Sequence, residues 1–258
     1  MKLSAVACAL LFTLPIAAQT SSAPAANARP AEAAAQNACP DQSQIDKMQA
    51  KLNDWAQLDR YRADNAALLP PAPGEERVVF YGDSITDAWG RIRGVFFPGK
   101  PYINRGISGQ TTPQMLVRFQ QDVVHLKPAV VVILAGTNDI AGNTGPETPE
   151  MIEDNFRSMT AIAHQNRIKV VIASILPAIA YPWKPGIQPA DEIRTMNAWL
   201  KDFCRSDGDV YLDYYSSMAD AQGGMKPGLS VDGVHPTAEG YAIMSPLAEK
   251  AIAEALAK

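Results

Sequence analysis

The chain has 258 residues, a length that suits one α/β domain or two small ones and is enough to bury a real core. Lys and Arg number 23 against 27 Asp and Glu, for a formal net charge of -4, which excludes a nucleic-acid binder held by phosphate contacts. The 3 cysteines are too few for a disulfide-dense miniprotein or a Cys-rich zinc site.

Met1-Lys2 is a short basic start, and residues 3–18 are apolar and small without a charge. Ile16-Ala17-Ala18 offers a small-residue cleavage site. The pattern predicts a secretory signal peptide over 1–18 and a periplasmic or secreted protein. An uncleaved anchor is the alternative, and Cys8 lies too early for a comfortable lipoprotein site. Past residue 18 there is no apolar run of about 18 residues, so no stable membrane insertion is expected of the mature chain. Residues 19–40, rich in Ala and Pro, are expected to be a disordered arm.

Residues 41–75 read as an N-terminal helix and linker. Ile45, Met48, Leu52, Trp55, Leu58 and Tyr61 recur every three or four residues, which predicts a helix over 42–68 ended by Pro70, Pro71 and Pro73. Residues 76–258 form the main domain. Five β-rich runs follow, at 78–81, 102–103, 129–135, 169–175 and 210–212, and the third and fourth are almost wholly apolar. Helical patterns lie near 112–126, 148–166, 189–205 and 237–257, and Pro246 is expected to kink or restart the last of them. This alternation predicts a three-layer α/β/α sandwich around a five-stranded parallel sheet of flavodoxin-like order.

Ligands in such a sheet bind at the carboxyl ends of the strands. After the first strand comes Gly82-Asp83-Ser84-Ile85-Thr86, which places a hydroxyl at a strand-to-helix turn or merely caps a helix. After the second comes Asn104-Arg105-Gly106-Ile107-Ser108-Gly109, where two glycines allow a tight turn that leaves an N–H free to face a ligand or is simply a turn. After the third comes Gly136-Thr137-Asn138-Asp139, whose Asn can offer its amide to an oxyanion or cap a helix. Near the end, Asp232-Gly233-Val234-His235-Pro236 puts a carboxylate three residues before an imidazole, within reach of its ring, or merely turns the chain before a helix starting at Thr237. His125 and His164 sit in helical patterns and read as surface or packing residues. Jointly the four loops supply a nucleophile, a base with an orienting carboxylate, and hydrogen-bond donors, which is what acyl transfer from an ester needs.

With those four blocks the chain resembles the SGNH hydrolase superfamily, the GDSL-type lipases and esterases, over roughly residues 76–257. The segment from Trp55 to Asn65 and Gly99-Lys100-Pro101 look like the bacterial branch related to platelet-activating-factor acetylhydrolases. The resemblance implies Ser84 as nucleophile and Asp232 and His235 as the rest of a triad. It implies an oxyanion hole from Gly109, Asn138 and the Ser84 backbone N–H. It implies no cofactor and no metal, and a small-molecule or glycan ester as substrate.

Trp89, Tyr181 and Trp183 are candidate substrate contacts, with simple packing as the alternative for each. The loop from Leu176 to Ala190 carries the last two together with Pro177, Pro182, Pro185 and Pro189, and is expected to overhang the site. No long apolar lid is visible, so short acyl chains from acetyl to butyryl are expected. A non-catalytic carbohydrate-binding or scaffold domain is the competing reading, and a metal-dependent deacetylase lacks ligand motifs. Cys39 and Cys204 remain after signal removal, and a bridge between them is expected in an oxidising compartment, with a buried apolar Cys204 and a free Cys39 thiol as the alternative.

Overall fold

The computed structural model describes residues 39–258, so the signal peptide and almost all of the expected arm lie outside the described residues. The chain divides into two units at Asp46, and the sheet and its helices belong to the larger, Lys47–Lys258. Five strands form one parallel sheet: β1 (Val78–Gly82), β2 (Tyr102–Gly106), β3 (Val130–Leu134), β4 (Lys169–Ala173) and β5 (Val210–Leu212). Their order is β2-β1-β3-β4-β5, so the sheet is the flavodoxin-like one expected. All five residues of β1 and of β3 are buried, which accounts for the unbroken apolar runs.

Alternate residues of each strand face opposite helical layers. Val79, Tyr81, Val131, Ile133, Val170 and Ile172 share one core with α4 (Thr112–Asp122), α6 (Pro149–Gln165) and α7 (Ala190–Asp207). Val78, Phe80, Val130, Val132, Val171 and Leu212 share the other with α3 (Ser84–Ala88) and α9 (Ala238–Ala257). Two single-turn helices follow strand ends, α5 (Thr137–Ile140) after β3 and α8 (Tyr215–Met218) after β5. Pro246 does not restart the last helix, because α9 runs through it unbroken.

The N-terminal segment departs from the single helix expected. Helix α1 (Gln42–Asn53) has no buried residue, and its periodic Ile45, Met48 and Leu52 are exposed. The chain then turns, because the Asp54 carboxylate accepts from the Leu58 and Asp59 N–H groups at 2.7 and 3.1 Å. A shorter helix, α2 (Arg62–Ala67), follows. Glutamines of the main domain hold these turns: Gln110, Gln114 and Gln121 donate to the carbonyls of Ala56, Trp55 and Leu58. Buried Tyr61 donates its hydroxyl to Gly106 O at the end of β2. The segment therefore buttresses the loop after β2.

The expected bridge is not formed. Cys39 and Cys204 are both free thiols, the first exposed and the second buried. Cys204 sits on the inner face of α7 within the apolar core, where its sulfur packs as a small hydrophobe. Burial pushes its thiol up to about 12.

Candidate active site

The sheet order reverses between β1 and β3, and both strands end beside one crevice. Ser84 follows β1 at the first position of α3, one residue after Asp83, whose side chain caps that helix through the Ile85 N–H at 2.9 Å. The helix-cap reading of this block thus belongs to Asp83, and Ser84 is left to project. Its Oγ lies 2.8 Å from His235 Nε2. On the far side of the ring, His235 Nδ1 lies 2.7 Å from Asp232 Oδ2. The second oxygen, Asp232 Oδ1, accepts from the backbone N–H groups of Val234 and His235 at 3.0 and 2.8 Å. Those bonds lock the carboxylate, which selects the tautomer with the proton on Nδ1 and a lone pair on Nε2 facing Ser84. Partial burial works against the Asp232 charge, but the bonds from the His235 backbone and ring and from Val234 hold its carboxyl below the usual range.

Gly109 takes φ of +80°, a left-handed conformation that favours glycine. Among the described residues, neither its N–H nor that of Ser84 donates to a protein acceptor. Asn138 follows β3 and is buried. Its Nδ2 donates to Asp83 Oδ2 at 3.1 Å and to Gln110 O at 3.0 Å, so a third acceptor must share one of these hydrogens. Burial pushes the Asp83 carboxyl up to about 6, against the pull of the Ile85 N–H and nearby His235.

Ser84, Ser108, Gly109, Asn138, Asn143, Trp183 and His235 line one cavity of about 220 Å³. Trp183 stands 6.0 Å from the His235 ring, with Tyr181 stacked behind it at 5.1 Å. Tyr181 is itself buried, so it supports Trp183 and does not face the cavity. Trp89 is also buried, packed among Phe80, Phe96, Phe97 and Tyr241, and its indole N–H donates to Val95 O. It does not line the cavity at Ser84, so for Trp89 and Tyr181 the packing alternative describes their positions.

A model of the GDSL-like Lipase/Acylhydrolase family matches residues 80–243, which include all four loops. The chain belongs to this family. A GDSL-like lipase from Bacteroides thetaiotaomicron has the same fold, with a TM-score of 0.75 and 44% identity over 78% of this chain and 98% of that one. The acetylxylan esterase of Geobacillus stearothermophilus is 26% identical over 203 residues, covering 66% of this chain and 90% of that protein. The platelet-activating factor acetylhydrolase IB subunit alpha1 of Homo sapiens is 30% identical over 114 residues, 42% of this chain and 47% of that subunit. The chain spans about half the length of most of the curated relatives it matches.

Arg118 and Asn143 carry no motif and escape a reading of the sequence, and Asp139, though it ends the third block, has partners the block does not show. Arg118 is fully buried on α4, and its guanidinium donates to Gly82 O, Arg105 O, Gln110 Oε1 and Asp122 Oδ2. It thereby ties the carboxyl ends of β1 and β2 to the loop that bears Gly109. Asp139, next to Asn138, accepts from the Thr112 N–H and hydroxyl and faces Glu147. Burial first, then the Glu147 charge, pushes the Asp139 carboxyl up to about 8, against the Thr112 bonds. Asn143 donates to Asn138 Oδ1 at 2.7 Å. A polar turn, Gly142 to Gly145, was its only trace in the sequence.

Proposed function

We propose that this protein is an exported serine esterase that removes short acyl groups, acetyl above all, from small-molecule or glycan esters. The observation that carries this reading is the unbroken chain Ser84 Oγ–His235–Asp232, at 2.8 and 2.7 Å. In this reading His235 Nε2 takes the Ser84 proton as Oγ attacks the ester carbonyl. The Nδ1–H to Asp232 steadies the imidazolium that forms. The tetrahedral oxyanion is met by the N–H groups of Ser84 and Gly109 and by Asn138 Nδ2. On collapse, His235 returns the proton to the leaving alcohol and Ser84 keeps the acyl group as an ester. Water then attacks that ester with His235 again as base, which releases the acid and restores Ser84.

Three observations favour a short acyl group on a sugar-like alcohol. The cavity at Ser84, about 220 Å³, is below the range of about 300–1,000 Å³ usual for drug-sized ligands. Trp183 presents a part-exposed ring at its edge, the kind of flat apolar face that packs on a pyranose. Two relatives are named for acetyl chemistry, an acetylhydrolase subunit and an acetylxylan esterase. Export rests on the N-terminal pattern of residues 1–18. Among the described residues no helix is long and apolar enough to cross a membrane.

Fluorophosphonate labelling of the purified protein tests the nucleophile directly. Stoichiometric adduct on Ser84 is expected, and an unlabelled, folded protein would return the non-catalytic carbohydrate-binding reading. A panel of esters from acetyl to dodecanoyl, with acetylated polysaccharide, tests the substrate class. An optimum at ten carbons or longer would overturn the short-chain assignment.

A further inference from the structure

We propose that Trp183 and Asn143 are positioning residues that relay hydrogen-bond polarity into Asn138, so that the aromatic wall of the cavity tunes oxyanion stabilisation. The inference rests on the esterase reading above.

An indole N–H only donates. Trp183 Nε1 donates to Asn143 Oδ1 at 3.0 Å, which decides which end of the Asn143 amide faces the wall. The other end, Asn143 Nδ2, must then point inward. There it donates to Asn138 Oδ1 at 2.7 Å and to Gly109 O at 3.3 Å, touching both side-chain and backbone members of the candidate oxyanion hole. The Asn143 backbone is anchored separately, its N–H on Asn138 O at 3.0 Å. Trp183 therefore sets the polarity of the side chain and not the position of the loop.

For Asn138 the consequence is a fixed amide. Its oxygen meets a donor from Asn143, and its nitrogen meets two acceptors, Asp83 Oδ2 and Gln110 O. The reversed amide would set NH₂ against NH₂ and oxygen against carboxylate. A donor on Oδ1 also polarises the amide and strengthens Nδ2 as a donor, because hydrogen bonds in chains reinforce one another. That matters at this position, since the Asn138 hydrogens are already engaged and an oxyanion must compete for one of them. A leaving group that packs on the Trp183 ring and shifts it would thus be felt at Asn138. Selectivity among alcohols would then appear in kcat, where a simple stacking surface would alter KM.

The test is steady-state kinetics on a short aryl ester with Trp183→Phe, Asn143→Ala and the double variant, after circular dichroism and thermal melts establish folding. Trp183→Phe keeps a ring and removes the N–H. It is expected to lower kcat by about fivefold, the worth of one ordinary hydrogen bond, with KM within about twofold. Asn143→Ala is expected to lower kcat by at least as much. The double variant is expected to match Asn143→Ala within about twofold, because the second lesion falls on a relay already cut. Losses that multiply in the double variant, or a Trp183→Phe enzyme with raised KM and full kcat, would overturn the relay. Asn143→Asp provides an independent arm: it sets a carboxylate oxygen against Asn138 Oδ1, and a kcat equal to wild type there would also overturn it. A Ser84→Ala control separates the two levels. If that variant keeps wild-type activity the esterase mechanism itself fails, whatever the relay variants do.

Discussion

A serine hydroxyl is weakly acidic, and in the proposed mechanism Ser84 becomes a nucleophile only through its neighbours His235 and Asp232. Replacing Ser84 with Ala is expected to leave the fold intact and lower kcat by about a thousandfold or more, read as ester turnover in a rigorously purified variant. Loss of the Asn138 side chain should lower kcat by about 10²–10³ with a smaller change in KM. A rise in KM alone would make Asn138 a substrate contact. Asp139 yields a pH prediction. Its carboxyl is pushed up to about 8, so the folded state prefers it protonated. The stability this contributes is complete below the ordinary carboxylate range, is lost progressively as pH rises from there to about 8, and changes no further above that. The substitution Asp139→Asn would keep an acceptor for Thr112 and offer a permanent donor to Glu147. The melting temperature of that variant relative to wild type should therefore climb between about pH 4 and 8 and level off above it. A constant difference across that range would show that Asp139 is ionised throughout.

The loop after β2 is an element held from three sides. Tyr61 reaches it from the N-terminal turns, Arg118 from α4, and α3 from beneath. A Cβ on Gly106 would fall 2.6 Å from Thr86 C and closer still to Asp87 N, both backbone atoms of α3. Glycine is required there for close approach. Arg118 and Asp122 form an ion pair with neither side chain exposed. Arg118→Ala would leave Asp122 buried without its cation and free the carbonyls of Gly82 and Arg105. We expect a loss of about 3–5 kcal/mol in urea-melt stability, with activity falling in step as Gly109 loses its fixed position. Stability within about 0.5 kcal/mol of wild type would show that the network is incidental.

On the scale of the whole molecule, the two cysteines report on different environments. Cys204 is in the core and Cys39 is exposed. Alkylation of the native protein, followed by peptide mapping, should modify Cys39 and spare Cys204 until denaturant is added. Rapid native labelling of Cys204 would place α7 away from the sheet. Absence of label at both after denaturation without reductant would restore the bridge.

Much of the architecture was legible in residue order alone, for local physical reasons. Strands buried on both faces must be apolar throughout, and helices must alternate every three or four residues, so the five strands and the main helices could be read within a few positions. The four candidate site loops were legible because Gly, Ser and Asn occur where strands end and the Asp–His pair just before the last helix, and their chemistry is specific. The N-terminal segment has the period of one long helix because Ile45, Met48 and Leu52 recur at helical spacing without being buried, while the Asp54 turn that interrupts it depends on one side chain. Trp89, Tyr181 and Trp183 looked alike as sequence; only packing separates two buried rings from one at the cavity edge. The supports of the site came from tertiary structure alone. Arg118, Asp139 and Asn143 act across 8 to 40 positions of chain through Gln110, Thr112 and Trp183, and such pairings leave no period or spacing to read. Local sequence sets which backbone state each segment prefers, whereas a buried polar group finds its partner only when distant segments are brought together and water is excluded.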